Sequence, residues 1–245
     1  IRFIPEFGLL KGIWYGIFHS ISAFCNAGFD LLGVKYGKYC SLTPYCSDWL
    51  VNLVIMLLII IGGIGFVVWT DVIKYKFRFS KYRLHSKIAI MMTLILIISG
   101  ALLFLITERD TVFKGMSLNT KVLAAAFSSV TPRTAGFNSV DTASLSNSGK
   151  LITMMLMFIG GCPGSTAGGI KTTTLFVLWA YVCAHIQQKR GVDVFNRRLA
   201  EDAVKTAATI LSINLSLVLI AAVIINTVES LDMTDIMFEI CSAMG

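Results

Sequence analysis

Apolar residues run along this chain in blocks of two lengths. Blocks from about Trp49 to Thr70, Ile88 to Ile106 and Ala203 to Ile225 each supply the roughly 20 residues that a helix needs to cross a bilayer. Shorter blocks, Ile13 to Phe24, Val122 to Phe127 and Met233 to Met244, supply about three helical turns or fewer and cannot cross. A further apolar run, Leu151 to Ile186, is long enough but is interrupted by glycines near its middle. The pattern predicts an all-α polytopic membrane protein in which full spans alternate with short apolar helices.

Composition agrees, with 56% hydrophobic and 14% charged residues in 245. The net charge of +7 is uneven. Lys74, Lys76, Arg78, Lys81, Arg83 and Lys87 form one basic cluster; Lys189, Arg190, Arg197, Arg198 and Lys205 form another. Beside membrane spans, such clusters mark cytoplasmic loops rather than a nucleic-acid surface, so no nucleic-acid partner is implied. Only one crossing fits between the two clusters after residue 110 has been placed outside, and Leu151 to Ile186 takes it. Residues 107–150 therefore begin and end outside, yet hold the buried-looking run at 122–127. That is a re-entrant loop, with an amphipathic surface helix as the competing reading. With no initiator Met and no signal-peptide pattern, the chain is expected to be a piece of a longer protein. Cys25, Cys162, Cys183 and Cys241 are expected as buried thiols, and a pairing of Cys40 with Cys46 stays open.

The short blocks are related. Phe18 to Phe29 superposes on Ala126 to Phe137 with Ser20 on Ser128, and with Ala27, Gly28 and Phe29 on Ala135, Gly136 and Phe137. Phe238 to Gly245 repeats the first half again, so the period is about 110 residues, a plan common in membrane transport proteins. The unit is span, short helix, glycine-containing return and span, the pore-loop unit of potassium channels. A short helix aimed at the bilayer centre presents its negative end to a cation. The extended segment after it offers carbonyl oxygens in place of a hydration shell. Gly28 and Gly136 supply the unusual backbone angles. The candidate selectivity filter is Asn26, Ala27, Gly28 and Phe29 with Thr134, Ala135, Gly136 and Phe137. The bound species would be potassium, held by backbone carbonyls; plain turn-forming glycines are the alternative.

The interrupted span carries Gly160, Gly161, Cys162, Pro163, Gly164, Ser165, Thr166, Ala167, Gly168 and Gly169. Proline and several glycines cannot hold a regular helix there. Free backbone groups at that depth must be buried in protein or line a water-filled cavity. A small-residue gate loop under the filter is expected, with Ser165 and Thr166 able to bind ions; a helix-packing kink is the alternative. Lys171 is either a partner of this gate or a cytoplasm-directed anchor. Arg133 is expected to donate hydrogen bonds to loop carbonyls. Asp30 and Asp141 either concentrate cations outside the filters or are plain solvated acids. Gly62, Gly63 and Gly65 read as small residues that let another helix approach.

The stretches Asn26 to Phe29, Thr131 to Phe137, Ile61 to Phe66 and the run at 160–169 resemble the Trk/Ktr/HKT superfamily of potassium transporters, most closely its KtrB-type membrane subunit. That family places four such units around one central pore. By this resemblance, residues 1–74 hold the pore loop and second helix of repeat two. Residues 75–188 form repeat three with a broken second helix, and 189–245 hold a cytoplasmic loop, first helix and pore helix of repeat four. Repeat one and the end of repeat four lie outside the chain. The resemblance implies potassium uptake, with sodium coupling left open and no organic cofactor. It further implies a homodimer in the lipid bilayer of a bacterial cell membrane, with a cytosolic nucleotide-binding regulatory ring of KtrA/TrkA type. The basic loops at 74–87 and 189–205 are candidates to touch that ring or to anchor lipid headgroups. Two other readings compete. A secondary transporter of another solute also has broken helices. An intramembrane hydrolase would use Ser165, but Pro163 spoils the nucleophile spacing. Of the histidines, His85 and His185 fall at cytoplasmic ends and His19 in the outer loop.

Overall fold

The computed structural model describes residues 1–245 except Phe77, Arg190 and Asn196, so Arg190 of the second basic cluster lies outside the described residues. The chain begins with a short helix α1 (Ile4–Phe7), then α2 (Leu9–Phe24), which starts a turn earlier than the apolar block alone predicts. A polar loop follows, with α3 (Gly33–Tyr36) and a 3-10 turn at Thr43–Tyr45. Helix α4 (Trp49–Gly63) is started by Asp48, whose carboxylate accepts from Leu50 N at 2.9 Å and Val51 N at 3.2 Å.

The first predicted span is not straight. α4 stops at Gly63, and α5 (Phe66–Tyr75) leaves at 98° to it. Gly65 between them has φ of 97°, a conformation that a side chain disfavours. Its missing Cβ is also needed, since one placed there would lie 2.7 Å from Pro163 O. Sequence periodicity does not register this bend because both arms are apolar.

Helix α6 (Leu84–Thr107) is long and apolar enough to cross in full. α7 (Leu118–Val130) lies against it, started by Ser117 Oγ accepting from Thr120 N. The close fit comes from Gly100, where a Cβ would meet Ser129 Oγ at 2.4 Å. Ser129 Oγ instead donates to Ile97 O at 2.8 Å. The broken span is α8 (Asn147–Ile159) and α9 (Thr172–Ile186). A two-residue hairpin, β1 (Asp193–Val194) and β2 (Arg197–Arg198), leads into α10 (Glu201–Val228), the second helix long and apolar enough to span. α11 (Met233–Met244) is short again and packs on α8 and α10.

Among the apolar clusters of the described residues, two join the central helices. One joins α2, α4 and α7 through Ala23, Ile55, Ile59, Phe127 and Phe137. The other joins α6, α7 and α8 through Phe104, Ala124, Ala125 and Leu156. The two basic clusters converge at one end of the bundle. There Ile88 of α6 packs with Ala184 and Val194, and Lys87 Nζ lies 5.7 Å from the Phe195 ring. At the other end of α6, buried Glu108 accepts from Ser146 Oγ at 2.5 Å and Ser146 N at 3.2 Å at the start of α8. Both facts fit a single crossing by α8 and α9 together. Among the described residues Cys40 and Cys46 remain separate thiols; Cys162 and Cys241 are buried, whereas Cys25 is exposed.

Candidate functional site

The two re-entrant loops are built alike. α2 ends at Phe24 and α7 at Val130, and each chain then turns through one left-handed non-glycine residue, Asn26 (φ 51°) and Thr134 (φ 67°). For a β-branched threonine this conformation costs on the order of 1–3 kcal/mol and persists only where the surroundings enforce it. Gly28 (φ 71°) and Gly136 (φ 79°) follow. The loops meet at these glycines: a Cβ on Gly28 would lie 2.6 Å from Ala135 O and 2.7 Å from Gly136 Cα. Each return is held at a fixed height by a hydroxyl. Ser22 Oγ donates to Phe29 O at 2.8 Å, and Thr131 Oγ1 donates to Phe137 O.

A cavity of about 150 Å³ opens here, lined by Ala27, Thr134, Gly136 and Asn138 with Ser242 and Gly245 at the end of α11. Three short helices thus bring their C-terminal ends to one hollow, where their carbonyl ends favour a cation. The outer rim is closed by the 40–45 segment, with Leu42 N donating to Asn138 O and Asn138 N to Ser41 Oγ, both at 2.9 Å. Asp30 and Asp141 accept from Leu32 N (2.9 Å) and Ala143 N (3.1 Å), so both carboxylates shape local turns.

The 160–169 loop lies against Asn26 and Thr134, where the two returns begin. Its backbone is docked on the bend between α4 and α5. Cys162 N donates to Gly63 O (3.0 Å), Thr166 N to Gly62 O (3.3 Å), and Phe66 N returns a bond to Gly164 O (2.9 Å). Here the sequence reading holds in part: Gly62 admits the end of another helix, α2, whereas Gly63 and Gly65 admit loop backbone and side chains rather than a helix. A Cβ on Gly62 would sit 1.9 Å from Phe24 O. The physical reason is the bend, which leaves carbonyls and amides of the broken helix needing partners.

The loop's polar side chains are engaged. Ser165 Oγ donates to Cys162 O (2.7 Å) and accepts from Ala167 N (3.2 Å). Thr166 Oγ1 donates to Phe24 O (3.0 Å) and accepts from Asn26 Nδ2 (3.1 Å). Gly168 N donates to Thr134 Oγ1 (3.0 Å). The two hydroxyls therefore hold the loop rather than stand free for ions. Cys162 is buried between Thr172 Oγ1 at 3.2 Å and Thr93 Oγ1 at 3.6 Å. Lys171 does not point away as an anchor: its ammonium donates to Ala167 O (2.8 Å) and Gly168 O (3.3 Å), capping loop carbonyls with a positive charge. Arg133 is buried at 5% exposure, and its Nε has no partner among the described residues, so the expected bonding of that nitrogen to loop carbonyls is absent. His19 is also relocated. It lies inside α2, 1% exposed, with Nδ1 2.7 Å from Tyr15 O and its ring beside Phe137.

Residues 6–245 match the TrkH family model, described as a cation transport protein. The chain is 45% identical over its full length to the potassium/sodium uptake protein NtpJ of Enterococcus hirae, covering 54% of that protein. It is 37% identical, again over its full length, to the Ktr system potassium uptake protein B of Bacillus subtilis, covering 54% of it. Thus the chain spans about half the length of the curated relatives it matches. The crystal structure of the potassium transporter TrkH from Vibrio parahaemolyticus superposes with a TM-score of 0.69 at 19% identity. It matches 86% of this chain and 44% of that one, a likeness of fold.

Proposed function

The chain belongs to the TrkH family of cation transport proteins, and from that premise we propose that it forms part of a potassium-translocating pore in a bacterial cell membrane. Backbone carbonyls of residues 26–29 and 134–137 serve as two walls of the selectivity filter, and the 160–169 loop is the gate beneath them. The observation that carries this is the meeting of Gly28 and Gly136 at the ends of two pore helices, directly over an intramembrane loop. No side chain fits between the two backbones, so what faces the hollow there is main chain, the group that replaces ion hydration. The hydrolase reading is set aside, because the family transports cations and the Ser165 hydroxyl is spent on Cys162 O.

In this proposal α6, α7, the 131–138 return and α8–α9 make one whole repeat. α2 with α4–α5, and α10 with α11, belong to the repeats before and after it. Potassium is the first candidate ion, and sodium enters because the Enterococcus relative is a potassium/sodium uptake protein. The assembly is a homodimer with a cytosolic nucleotide-binding ring. Convergence of the two basic loops at one end of the bundle supplies a single face for that ring.

The test is potassium and sodium uptake by the full-length protein in cells stripped of their own uptake systems, alongside a version lacking Gly160–Gly169. Saturable potassium uptake, with faster flux in the deletion, is expected. Absence of any cation uptake from well-expressed protein supplied with its regulatory partner would overturn the proposal.

A further inference from the structure

Asn26 and Thr134 hold the same place in the two loops, and both put their side chain on the gate loop. The two bonds run in opposite senses: Asn26 Nδ2 donates a hydrogen bond to Thr166 Oγ1, whereas Thr134 Oγ1 accepts one from Gly168 N. The Thr166 hydroxyl in turn donates a hydrogen bond to Phe24 O, in the last turn of α2. Two loop positions, 166 and 168, are thereby fastened to two different filters. Asn26 and Thr134 are also the residues held left-handed, at φ 51° and 67°, and each stands two positions before its filter glycine. A residue that leaves this region of backbone space reorients the peptide after it, and that peptide leads into Gly28 or Gly136.

We propose that Asn26 and Thr134 are positioning residues that latch the gate loop to the filters, so that loop position and filter geometry form one coupled equilibrium. With the loop seated, its Thr166 hydroxyl and Gly168 amide hold both residues left-handed and the two glycines face to face. Withdrawal of the loop breaks both bonds and releases both filter entrances together. The latch rests on the reading of residues 160–169 as the gate. It goes beyond that reading by giving the filter's own side chains control of the gate. Each hydrogen bond shifts the seated population by a modest factor, so the latch is strong enough to bias the loop and weak enough to open.

The test uses the full-length transporter in cells lacking their own potassium uptake, with expression and monodispersity measured for every variant. Thr134→Val keeps the β-branch and removes the acceptor. It is expected to raise potassium uptake about three- to tenfold at limiting potassium and to lower the potassium-to-sodium ratio. Thr134→Ser, which keeps the hydroxyl, is expected to stay within about twofold of the parent. In the background lacking Gly160–Gly169, the effect of Thr134→Val is expected to be clearly smaller than in the intact protein. An equal effect in both backgrounds would place the hydroxyl's role in the filter alone and overturn the latch while leaving the gate intact. A deletion that by itself changes neither flux nor selectivity would remove the gate, and the latch with it. Should Thr134→Val fold poorly, Asn26→Ala and Thr166→Val provide a second cycle. The double variant is expected to match the larger single effect, and full additivity would overturn the latch.

Discussion

The loop after α2 and the loop after α7 share a backbone and differ in what holds it. Both turn through a left-handed residue, pass a glycine and end on a phenylalanine whose carbonyl is held by a hydroxyl of its own loop. Yet Phe137 is 0% exposed and packs beside His19, while Phe29 is 70% exposed. α7 has a serine cap and lies deep against α6; α2 starts from Gly8 without a side-chain cap. Instead, α2 is steadied from outside. Glu6 collects Tyr36 (2.5 Å), Tyr45 (2.9 Å) and Lys35 (3.0 Å), and Phe7 stacks on Tyr15 at 4.4 Å. The lesson is that the geometry of these returns is written locally, in a few residues around each glycine, whereas support is taken from whichever neighbours are at hand.

The sharpest way to break this comparison is at the point of contact. Gly28→Ala puts a methyl within 2.6 Å of Ala135 O, whereas at Gly136 the nearest atom, Gly28 Cα, is 3.2 Å away. Both substitutions strain a positive φ at a cost of about 1–3 kcal/mol, and Gly28→Ala adds a backbone collision. Gly28→Ala is expected to lower potassium uptake by well over about tenfold, and Gly136→Ala by less, with a reduced potassium-to-sodium ratio in both. Equal uptake in parent and variants would mean that the two glycines do not face each other during transport.

Support is tested at the phenylalanines. Phe137→Ala is expected to cost about 3–5 kcal/mol as a filled core site is emptied. Phe29→Ala in the same chain is expected to stay within about 0.5 kcal/mol. Thermal unfolding in detergent would read the gap, and similar losses from both would erase the distinction between a phenylalanine packed within this chain and one exposed on it.

The smallest effect concerns the outer brace. The hydroxyl of Tyr36, aided by Lys35 and Tyr45, holds the Glu6 carboxyl below the usual carboxylate range, against the opposing pull of burial. A carboxyl with a lowered folded-state pKa contributes its full stability above the unfolded value of 4.5 and loses it as pH falls through the lower folded value. Glu6→Gln is therefore expected to reduce the melting temperature slightly at pH 7, by a difference worth under about 1 kcal/mol. That difference should shrink below pH 4.5. A gap that is constant with pH would remove the carboxylate from the brace.

Much of this was legible in the chain itself. Block length picked out α6 and α10 as helices long enough to cross, because a bilayer fixes how many apolar residues a span needs, but it missed the bend between α4 and α5. Spacing revealed the repeat, and Gly28 and Gly136 marked backbone positions that local sterics reserve for glycine. Pro163 and its surrounding glycines dictated a break in the helix between Ile159 and Thr172. Tertiary structure alone decided where the freed polar groups go. Ser165 and Thr166 looked available for ions until their partners, Cys162 O and Phe24 O, were in view. Gly62 does receive the end of helix α2, but Gly63 and Gly65 looked like the same helix-packing surface until the bend of 98° turned them toward the 160–169 loop. Periodicity and composition report which residues are buried and which backbone angles are allowed, and both are local properties. The bond from Asn26 to Thr166 joins residues 140 positions apart. Such a pairing exists only when three helices have already been packed around the loop between them.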